Sequence, residues 1–337
     1  MPIRIAEHTW PETARPLVSI CCITYNQERF VRDCLEGFLM QETTFPVELL
    51  IHDDASTDNT ANIIREYEAR HPHIIRAMYQ TENQYARVKH PDVVFNFPRA
   101  RGRYIALCEG DDYWTAPDKL QMQVDFMESH PAYSGCFHNV KVVYEDGRER
   151  PQYAMPLKDT LTLRDLAEIN YISTPSALFR ARLFPQFPDW YRHVPVGDWP
   201  LHVLNAEYGD VGYLDRICAV YRVHAKGVWS SLSESERYVK TIRVAEAIDA
   251  HLRFKHTRAI RRTTAYCHYQ IAVNMRLEGN GEGIFQHLWS AISESPFHER
   301  IPKKHIAAML VKHAASVLVA DIDQLNRWLS RQHAARR

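Results

Sequence analysis

The 337-residue sequence predicts an α/β protein with a mostly parallel central sheet flanked by helices, followed by an all-helical C-terminal region. Two observations lead to this prediction. Between residues 16 and 110, short runs rich in β-branched residues alternate with amphipathic segments, which is typical of a parallel sheet covered on both faces. From residue 231 onward, apolar residues recur at helical spacing. The length suits roughly two folding units.

Each element of the first half follows from its local pattern. The predicted strands are residues 17–23, 47–52, 74–79, 104–108 and 133–144. The predicted helices are residues 28–40, 57–70 and 117–129, the second with Asp58 in its first turn and the third with Pro117 at its first position. Ligands of such sheets bind beyond the carboxyl ends of the strands, so the residues after each strand are expected to carry the chemistry.

Composition and charge exclude several classes of protein. The sequence is 45% hydrophobic and 24% charged, which excludes a disordered chain. Basic and acidic residues balance at 41 each, so no net field would concentrate the protein on nucleic acid, and no nucleic-acid partner is expected. Residues 251–337 nevertheless carry 14 Lys or Arg and 6 Asp or Glu, a basic tail on an acidic body.

Cysteine usage predicts a reducing compartment. The seven cysteines are odd in number, form no CxxC pair and lie mostly in apolar runs, which is typical of buried cytosolic thiols rather than disulfides or a zinc site. The first residues lack the apolar segment of a secretion signal, and no uncharged apolar stretch reaches the length of about 18 residues that spans a membrane. A cytoplasmic location follows as an expectation.

Polar and acidic side chains follow three of the predicted strands. They are Thr24, Tyr25 and Asn26, then Asp53 and Asp54, then Glu109, Asp111 and Asp112. Carboxylates gathered at one sheet edge repel each other unless a cation joins them, and hard oxygen ligands suit Mg²⁺ or Mn²⁺ bound to a substrate diphosphate. The alternative is an acidic surface turn, because a bare DxD pattern carries little information.

Glycine-rich phosphate loops are absent from the sequence. Neither GxGxxG after a strand nor GxxxxGK(S/T) occurs, and residues 1–50 contain a single glycine, Gly37, within a predicted helix. Any phosphate is therefore expected to be neutralised by a metal or by basic side chains rather than cradled by glycines.

Five segments together resemble the family 2 glycosyltransferases, which have the GT-A fold. The first three are PLVSICCITYNQERFV (16–31), ELLIHDDASTDNT (48–60) and RYIALCEGDDYWTAPDKLQMQ (103–123). VGDWPLHV (196–203) is similar to the acidic acceptor-side motif of the family, and AVYRVHAKGVWS (219–230) to the end of its catalytic domain. The resemblance implies an N-terminal extension (1–15), a catalytic domain (16–230) with nucleotide-binding (16–112) and acceptor (113–230) halves, and a basic helical region (231–337).

The resemblance also implies an activity, namely transfer of a sugar with inversion from a nucleotide-diphosphate donor to a hydroxyl of a glycan, lipid-linked or protein acceptor. Thr24, Tyr25 and Asn26 would contact the nucleotide. Asp54, supported by Asp53, would accept from the imide N–H of the base, which favours UDP or dTDP over GDP.

On the diphosphate side, the resemblance implies that Asp111 contacts the ribose and that Asp112 binds the metal, Mn²⁺ or Mg²⁺. Glu109 stands where relatives often have Asp and would add a carboxylate near the metal. His224 could ligate the metal or bind the diphosphate, and the alternative is a structural histidine. Arg87 could meet the base or the phosphates, and the alternative is a solvated loop cation.

An inverting displacement needs a base opposite the leaving group, and we assign this role to Asp198. Relatives commonly have a Glu-Asp pair where this chain has Gly197-Asp198, so only the second acid can serve. The alternative role of Asp198 is a helix N-cap ahead of Pro200, and both roles can hold together.

Four residues are candidates for contact with the acceptor or the transferred sugar. Trp114 and Trp199 could form a platform for a sugar, and burial in the core is the equal alternative. Thr174 and Ser176 are expected beside the acceptor.

The helical region and the overall function leave alternatives open. The helices could pack as a bundle on the catalytic domain or on a second copy of the chain, or contact anionic lipid at the inner face of the membrane. The pattern over residues 267–296, a helix pair with a glycine-containing turn, favours the bundle. The competing functions are a sugar-phosphate nucleotidyltransferase and an inactive nucleotide-sugar-binding scaffold. The former would need a glycine-rich loop after the first strand.

Overall fold

The structure, a computed structural model, describes residues 1–7, 10–11, 13–279 and 283–311. The chain divides into two compact units, one of which is Met1–Ser231 while the other begins at Leu232. All seven cysteines are buried free thiols. None of the helices in the described ranges combines the length and the apolar character that crossing a bilayer requires.

The first unit is built on one mixed sheet. The strands in chain order are β1 Ile3–Arg4, β2 Val18–Thr24, β3 Glu42–Thr43, β4 Val47–Asp53, β5 Ile75–Tyr79, β6 Tyr104–Leu107, β7 Tyr113–Trp114, β8 Gly135–Tyr144, β9 Glu149–Pro151, β10 Thr160–Leu161, β11 Leu178–Arg180 and β12 Val211–Val223. The sheet order is β10-β12-β8-β11-β6-β2-β4-β5, with β7 paired to β12 and β9 to β8, while β1 and β3 form a separate pair.

The sheet consists of two parallel parts joined by one antiparallel strand. In one part β6, β2, β4 and β5 run parallel, and in the other β12 is parallel to β8. Strand β11 pairs antiparallel with β6 on one side and with β8 on the other. The predicted mostly parallel sheet flanked by helices is therefore confirmed, with short antiparallel strands added.

Helices flank this sheet and make up the described part of the second unit. Those of the first unit are α1 Val31–Leu39, α2 Thr60–Arg70, α3 Tyr85–Val88, α4 Lys119–Ser129, α5 Leu163–Glu168 and α6 Asp198–Ala206. Those of the second are α7 Glu234–His251, α8 Thr257–Leu277 and α9 Ile284–Glu294, and residues 303–311 are also helical.

Burial on both faces explains the central strands. Every residue of β4 is buried, and β2 is buried except at Ile23, so their sequences are nearly continuous apolar runs. Ile20 and Leu49 of these strands share one core cluster with Phe38 of α1 and Ile64 of α2. Each of these four side chains is fully buried, and burying a side chain of this size contributes about 1.5–3 kcal/mol.

The parallel strands bring their carboxyl ends to one edge. Thr24, the last residue of β2, pairs with Asp53 at the end of β4. Strand β6 runs parallel to β2, and residues 109–112, here called the carboxylate turn, connect β6 to β7. Because β7 pairs with β12, the turn lies next to the last residues of β12.

The second unit contains a helix pair where the sequence predicts one. Ala265, Tyr269 and Ala272 of α8 form a core with Leu288 and Ala291 of α9. Residues 280–282 of the connection lie outside the described residues. Residues 312–337, which hold part of the predicted basic tail, also lie outside them.

Candidate active site

The carboxylate turn holds two buried oxygen atoms without a hydrogen-bond partner. Asp112 is 1% exposed, and its Oδ1 accepts the backbone N–H of Arg222 at 2.8 Å. Asp111 Oδ2 lies 3.0 Å from Nε2 of His224. The other oxygen of each carboxyl, Asp111 Oδ1 and Asp112 Oδ2, is buried and has no partner among the described residues.

Burial makes this turn electrostatically costly. Desolvation raises the pKa of both Glu109 and Asp112 well above the ordinary value, and the neighbouring charge of Asp111 raises each further. A cation near these oxygens would relieve that cost, because it favours the ionised carboxylates.

Asp198 belongs to the same cluster of charges. It is the first residue of α6, and Gly197, rather than Asp198, occupies the N-cap position. Burial raises the pKa of Asp198, and hydrogen bonds from the backbone N–H of Trp199 and from Asn170 Nδ2, the latter 2.8 Å from Asp198 Oδ2, oppose that shift. The charge of Asp198 in turn raises the pKa of Glu109.

The hydroxyl of Tyr221, on β12, faces this whole cluster. Burial raises the pKa of Tyr221, and four carboxylates raise it further: Asp112, Glu109, Asp111 and Asp198. The structure therefore brings the carboxylate turn and the start of α6 to one place, although they are separated by more than eighty residues in sequence.

Asp53 and Asp54, at the end of β4, are engaged by the protein itself. Asp53 Oδ1 accepts from the hydroxyls of Thr24 at 3.1 Å and Ser56 at 2.6 Å. Asp54 accepts the backbone N–H groups of Gln84 at 2.6 Å and Tyr85 at 2.9 Å. Asp54 therefore fixes the start of α3.

Tyr85 links this strand end to the carboxylate turn. Burial raises the pKa of its hydroxyl, and the charge of Glu109 adds to the shift. Since the N–H of Tyr85 also binds Asp54, Asp54 lies on the side of the sheet edge where the carboxylates meet. Arg87, two residues further along α3, is exposed.

The residues after β2 divide into an exposed side chain and a structural one. Tyr25 is 47% exposed. Asn26 has a φ of 53°, a conformation that Asn tolerates better than most residues, and its Oδ1 accepts the N–H of Thr57 at 2.7 Å. Asn26 therefore braces the loop that precedes α2.

Trp114 and Trp199 lie in the core and not on an open surface. Trp114 is 1% exposed, with Phe38 against it at 4.8 Å between ring centroids and Lys119 Nζ 3.9 Å from its ring centroid. Trp199 is 4% exposed, and its Nε1–H donates to Leu166 O at 2.6 Å. Both rings are covered by protein, which favours the core, the second of the two alternatives that the sequence left open, over a sugar platform.

The two hydroxyl residues expected beside the acceptor differ in exposure. Ser176 is fully buried, and its hydroxyl donates to Ser173 O at 2.7 Å, which is a structural contact. Thr174 begins the same 3₁₀ turn, Thr174–Ser176, and remains half-buried.

Arg222 was missed by the sequence reasoning. Besides its N–H on Asp112, its guanidinium donates to Asp111 O at 3.0 Å and to Asp33 Oδ2. The signal that could have pointed to Arg222 is the alternation of side chains along a strand, which places Arg222 on the same face as His224. Asn170 and Tyr221 were also missed, and nothing in their sequence context marks them.

The packing around Gly197 leaves no room for the first acid of the Glu-Asp pair. A Cβ atom at Gly197 would lie 2.6 Å from His90 Nδ1 and 2.9 Å from Tyr191 Oη. Tyr191 also donates its hydroxyl to Gly197 O at 2.9 Å, and burial lowers the pKa of His90 to about 4. A neutral histidine and a tyrosine therefore occupy the place of a side chain at Gly197.

The fit of a divalent metal can be tested on these contacts. Across residues 1–7, 10–11, 13–279 and 283–311, no three His, Cys, Asp or Glu side chains are arranged as a metal site. Glu109, Asp111, Asp112 and His224 therefore do not by themselves form a complete ligand set in the described residues. Mg²⁺ usually needs only one or two carboxylates plus substrate phosphates, and the unpartnered oxygens of Asp111 and Asp112 fit that arrangement.

The sheet gathers acidic residues at the carboxyl ends of its strands, where sheets of this α/β class bind their ligands, and comparison with known proteins gives the family. Residues 19–187 match the family described as glycosyl transferase family 2, and the chain belongs to this family. Of the two enzyme alternatives, this assignment favours the glycosyltransferase over the nucleotidyltransferase.

Two relatives share part of their length with this chain. An uncharacterised protein of Mycobacterium tuberculosis is 42% identical over 221 residues, covering 65% of this chain and 62% of that protein. TuaG of Bacillus subtilis, provisionally named as a teichuronic acid biosynthesis glycosyltransferase, is 35% identical over 134 residues, covering 40% of this chain and 50% of TuaG. The chain thus matches less than two thirds of the length of either relative.

Two solved structures share the fold. A fragment of S. aureus TarS, residues 1–349, crystallised with UDP-GlcNAc, superposes with a TM-score of 0.56 at 20% identity, covering 87% of this chain and 83% of the fragment. The mannosyltransferase PcManGT of Pyrobaculum calidifontis, in complex with GDP-Man and Mn²⁺, gives a TM-score of 0.56 at 18% identity, covering 93% and 85%. The predicted GT-A type fold is confirmed.

Proposed function

We propose that this chain is an inverting glycosyltransferase that moves a sugar from a nucleotide-diphosphate donor, UDP or dTDP rather than GDP, to a hydroxyl of a glycan, lipid-linked or protein acceptor. The observation that carries the proposal is the convergence of the carboxylate turn and Asp198 around Tyr221. Family membership supports it, as do fold neighbours whose structures hold UDP-GlcNAc, or GDP-Man with Mn²⁺.

On the donor side, Asp111 and Asp112 would hold Mn²⁺ or Mg²⁺, and the bound ion would neutralise charge on the departing diphosphate. Arg222 fixes both acids, because it binds one oxygen of Asp112 and the backbone carbonyl of Asp111. The remaining oxygen of Asp112 stays unpartnered and thus available as a ligand.

On the acceptor side, Asp198 would act as the general base. The acceptor oxygen attacks the anomeric carbon and forms the glycosidic bond, while the bond from that carbon to the diphosphate oxygen breaks and its electron pair leaves with the diphosphate. Asp198 takes the proton of the acceptor hydroxyl. Burial raises the pKa of Asp198, which makes its carboxylate a stronger base than an exposed aspartate.

On the nucleotide side, Asp54 is proposed to read the base. Backbone N–H groups use one acceptor position on each of its oxygens, and a carboxylate oxygen can accept a second hydrogen bond. The imide N–H of uracil or thymine would take such a position. Tyr25, exposed at the end of β2, and Arg87, exposed on α3, would lie along the nucleotide.

Two substitutions separate the donor and acceptor roles. Asp112→Ala is expected to abolish the gain in UDP affinity that Mn²⁺ gives the native protein, measured by calorimetry with Mn²⁺ and with EDTA. Asp198→Asn is expected to keep UDP affinity while turnover of a nucleotide sugar falls by on the order of a thousandfold. Asp125→Asn, an exposed aspartate on α4, is the matched control and should change neither quantity.

Each part of the proposal can fail separately. Equal UDP affinity with and without metal in the native protein would refute the metal role of the turn. Near-normal turnover of Asp198→Asn would remove Asp198 from the base role. GDP binding as tightly as UDP would refute the proposed reading of the base by Asp54.

A further inference from the structure

We propose that Asn170 is the positioning residue for the carboxylate of Asp198, an inference that rests on the base role proposed above. Asn170 lies two residues after α5, on the connection that leads to the 3₁₀ turn Thr174–Ser176. Its Nδ2 donates to Asp198 Oδ2 at 2.8 Å, across 28 residues of sequence.

The orientation of the Asn170 amide is fixed by a second hydrogen bond. Its Oδ1 accepts the backbone N–H of Ile172 at 3.2 Å. The reversed amide would place an N–H₂ against the N–H of Ile172 and a carbonyl oxygen against the carboxylate of Asp198, which are two repulsive contacts. The amide therefore presents its donor to Asp198.

The segment that carries Asn170 is itself tied to α6. Helix α5 begins with a capping box in which the side chains of Thr162 and Asp165 each bind the backbone of the other. Trp199, the residue after Asp198, donates its indole N–H to Leu166 O at 2.6 Å. Consecutive residues of α6 thus bind Leu166 and Asn170, so the distance between the connection and the base is fixed at two points.

The chemistry of Asn170 suits the orientation of a base. Groups from three other elements also face Asp198: Glu109 on the carboxylate turn, Tyr191 on the 3₁₀ helix Asp189–His193, and Tyr221 on β12. A lysine or arginine in place of Asn170 would orient the carboxylate too, but its full charge would depress basicity. A neutral amide orients the carboxylate with a smaller loss of basicity.

The contact leaves room for the acceptor. A carboxylate has about four acceptor positions; Asn170 uses one of them on Oδ2, and the backbone N–H of Trp199 also bonds to this carboxyl, so acceptor capacity remains. The acceptor hydroxyl can therefore donate to Asp198 while Asn170 stays bound. Without the amide, the side chain of Asp198 would sample other rotamers, and misplacement of a reacting group by about 1 Å can cost on the order of a hundredfold in rate.

The test uses Asn170→Ala, which removes the donor, and Asn170→Asp, which keeps the shape but replaces the donor with an acceptor. The matched control is Gln121→Glu, because Gln121 Nε2 donates to Asp125 Oδ1 at 2.8 Å on the exposed face of α4. The first readout needs no substrate. It is the titration of the Asp198 carboxyl carbon by NMR in protein labelled with ¹³C-aspartate, assigned by its loss in Asp198→Asn.

The second readout is kinetic. The fastest substrate of the native protein among UDP-glucose, UDP-GlcNAc and GDP-mannose, with Mn²⁺, is used to measure kcat, KM and UDP affinity. In both Asn170 variants the titration midpoint of Asp198 should rise, and kcat should fall by on the order of tenfold to a hundredfold. KM and UDP affinity should stay within about twofold of the native values, and Gln121→Glu should leave all readouts at native values.

An unchanged titration midpoint of Asp198 in Asn170→Ala would overturn the inference, because the contact would then not act on the carboxylate. A parallel loss of UDP affinity and kcat would overturn it as well, since that result marks a general structural defect. Native kcat in Asp198→Asn would instead refute the base role itself. The midpoint of Asp198 in the Asn170 variants would still report whether the amide holds the carboxylate.

Discussion

Gly197→Ala tests whether the packing around Gly197 fixes the start of α6. The φ of Gly197 is −104°, which any residue can adopt, so backbone strain is not the obstacle. The added Cβ would lie 2.6 Å from His90 Nδ1, well inside contact distance, and the His90 ring packs edge-on against Tyr191 with a centroid distance of 4.9 Å. Overpacking of this kind costs about 1–3 kcal/mol. We expect the free energy of unfolding to fall by about 2 kcal/mol.

The assay is a double-mutant cycle by urea unfolding. Gly197→Ala is measured in the native background and in His90→Ala, which removes the nearest atom. The cost should fall by more than half in the second background, because only the contact with Tyr191 Oη and the weak preference for Gly over Ala at an N-cap remain. Gly147→Ala is the control, because Gly147 has a φ of 82° and nothing within 4 Å of its added Cβ, so its cost should not depend on His90.

Equal costs of Gly197→Ala in both backgrounds, within about 0.5 kcal/mol, would show that His90 does not limit the space at Gly197. The same variant should also lower turnover, because a shift of the first turn of α6 displaces Asp198, while UDP affinity stays near its native value. Native turnover in a destabilised variant would refute the link between this packing and the base.

Three further predictions concern single contacts. Asp54→Ala leaves two backbone N–H groups at the start of α3 without their acceptor. Urea unfolding should show a free energy of unfolding lower by about 2 kcal/mol, and UDP should bind more weakly. A variant as stable as the native protein would contradict this. Burial lowers the pKa of Lys119 to about 8, so between about pH 8 and pH 10.5 the unfolded chain holds more protons than the folded one and stability rises with pH. Between pH 7 and pH 9.5 the free energy of unfolding of the native protein should therefore rise by about 2 kcal/mol more than that of Lys119→Met. Parallel dependence of the two free energies on pH would exclude this charge effect. Arg222→Lys keeps the charge but loses the two-pronged contact of the guanidinium with Asp33 and with the backbone of Asp111. The affinity for UDP in the presence of Mn²⁺ should fall by about tenfold. An affinity that calorimetry shows to be unchanged would argue against a positioning role of Arg222.

The central strands were predictable because their burial imposes a simple pattern. The runs at residues 47–52 and 104–108 form β4 and β6 with ends within one residue of the prediction. Strand β11 was not predicted, because three residues carry no periodicity and its place between β6 and β8 is decided by pairing with distant strands. The start of α2 was set three residues early, at Thr57, because Asp58 lies in the loop before the helix, where its carboxylate accepts the N–H groups of Thr60 and Glu28.

From local pattern alone, the candidate site was predictable only where it follows strand ends, and Asp198 was identified through the resemblance of VGDWPLHV (196–203). Asp111 and Asp112 were found because they come directly after an apolar strand, and parallel topology gathers such residues at one edge. Asn170 was missed because its partner lies 28 residues away. For Trp114 and Trp199 the sequence left a sugar platform and the core as equal alternatives, because an aromatic residue has the same local sequence context in both. Only tertiary packing separates the two.

The short strand β11 has a consequence for how this protein handles its substrates. Because it bonds to β6 and β8 at once, the ladder of backbone hydrogen bonds runs unbroken between the two parallel parts of the sheet. No hinge divides the described sheet into two lobes that would have to close before reaction. Under the proposed function, this backbone ladder would set the spacing between the carboxylate turn and Asp198 without any closure of the sheet.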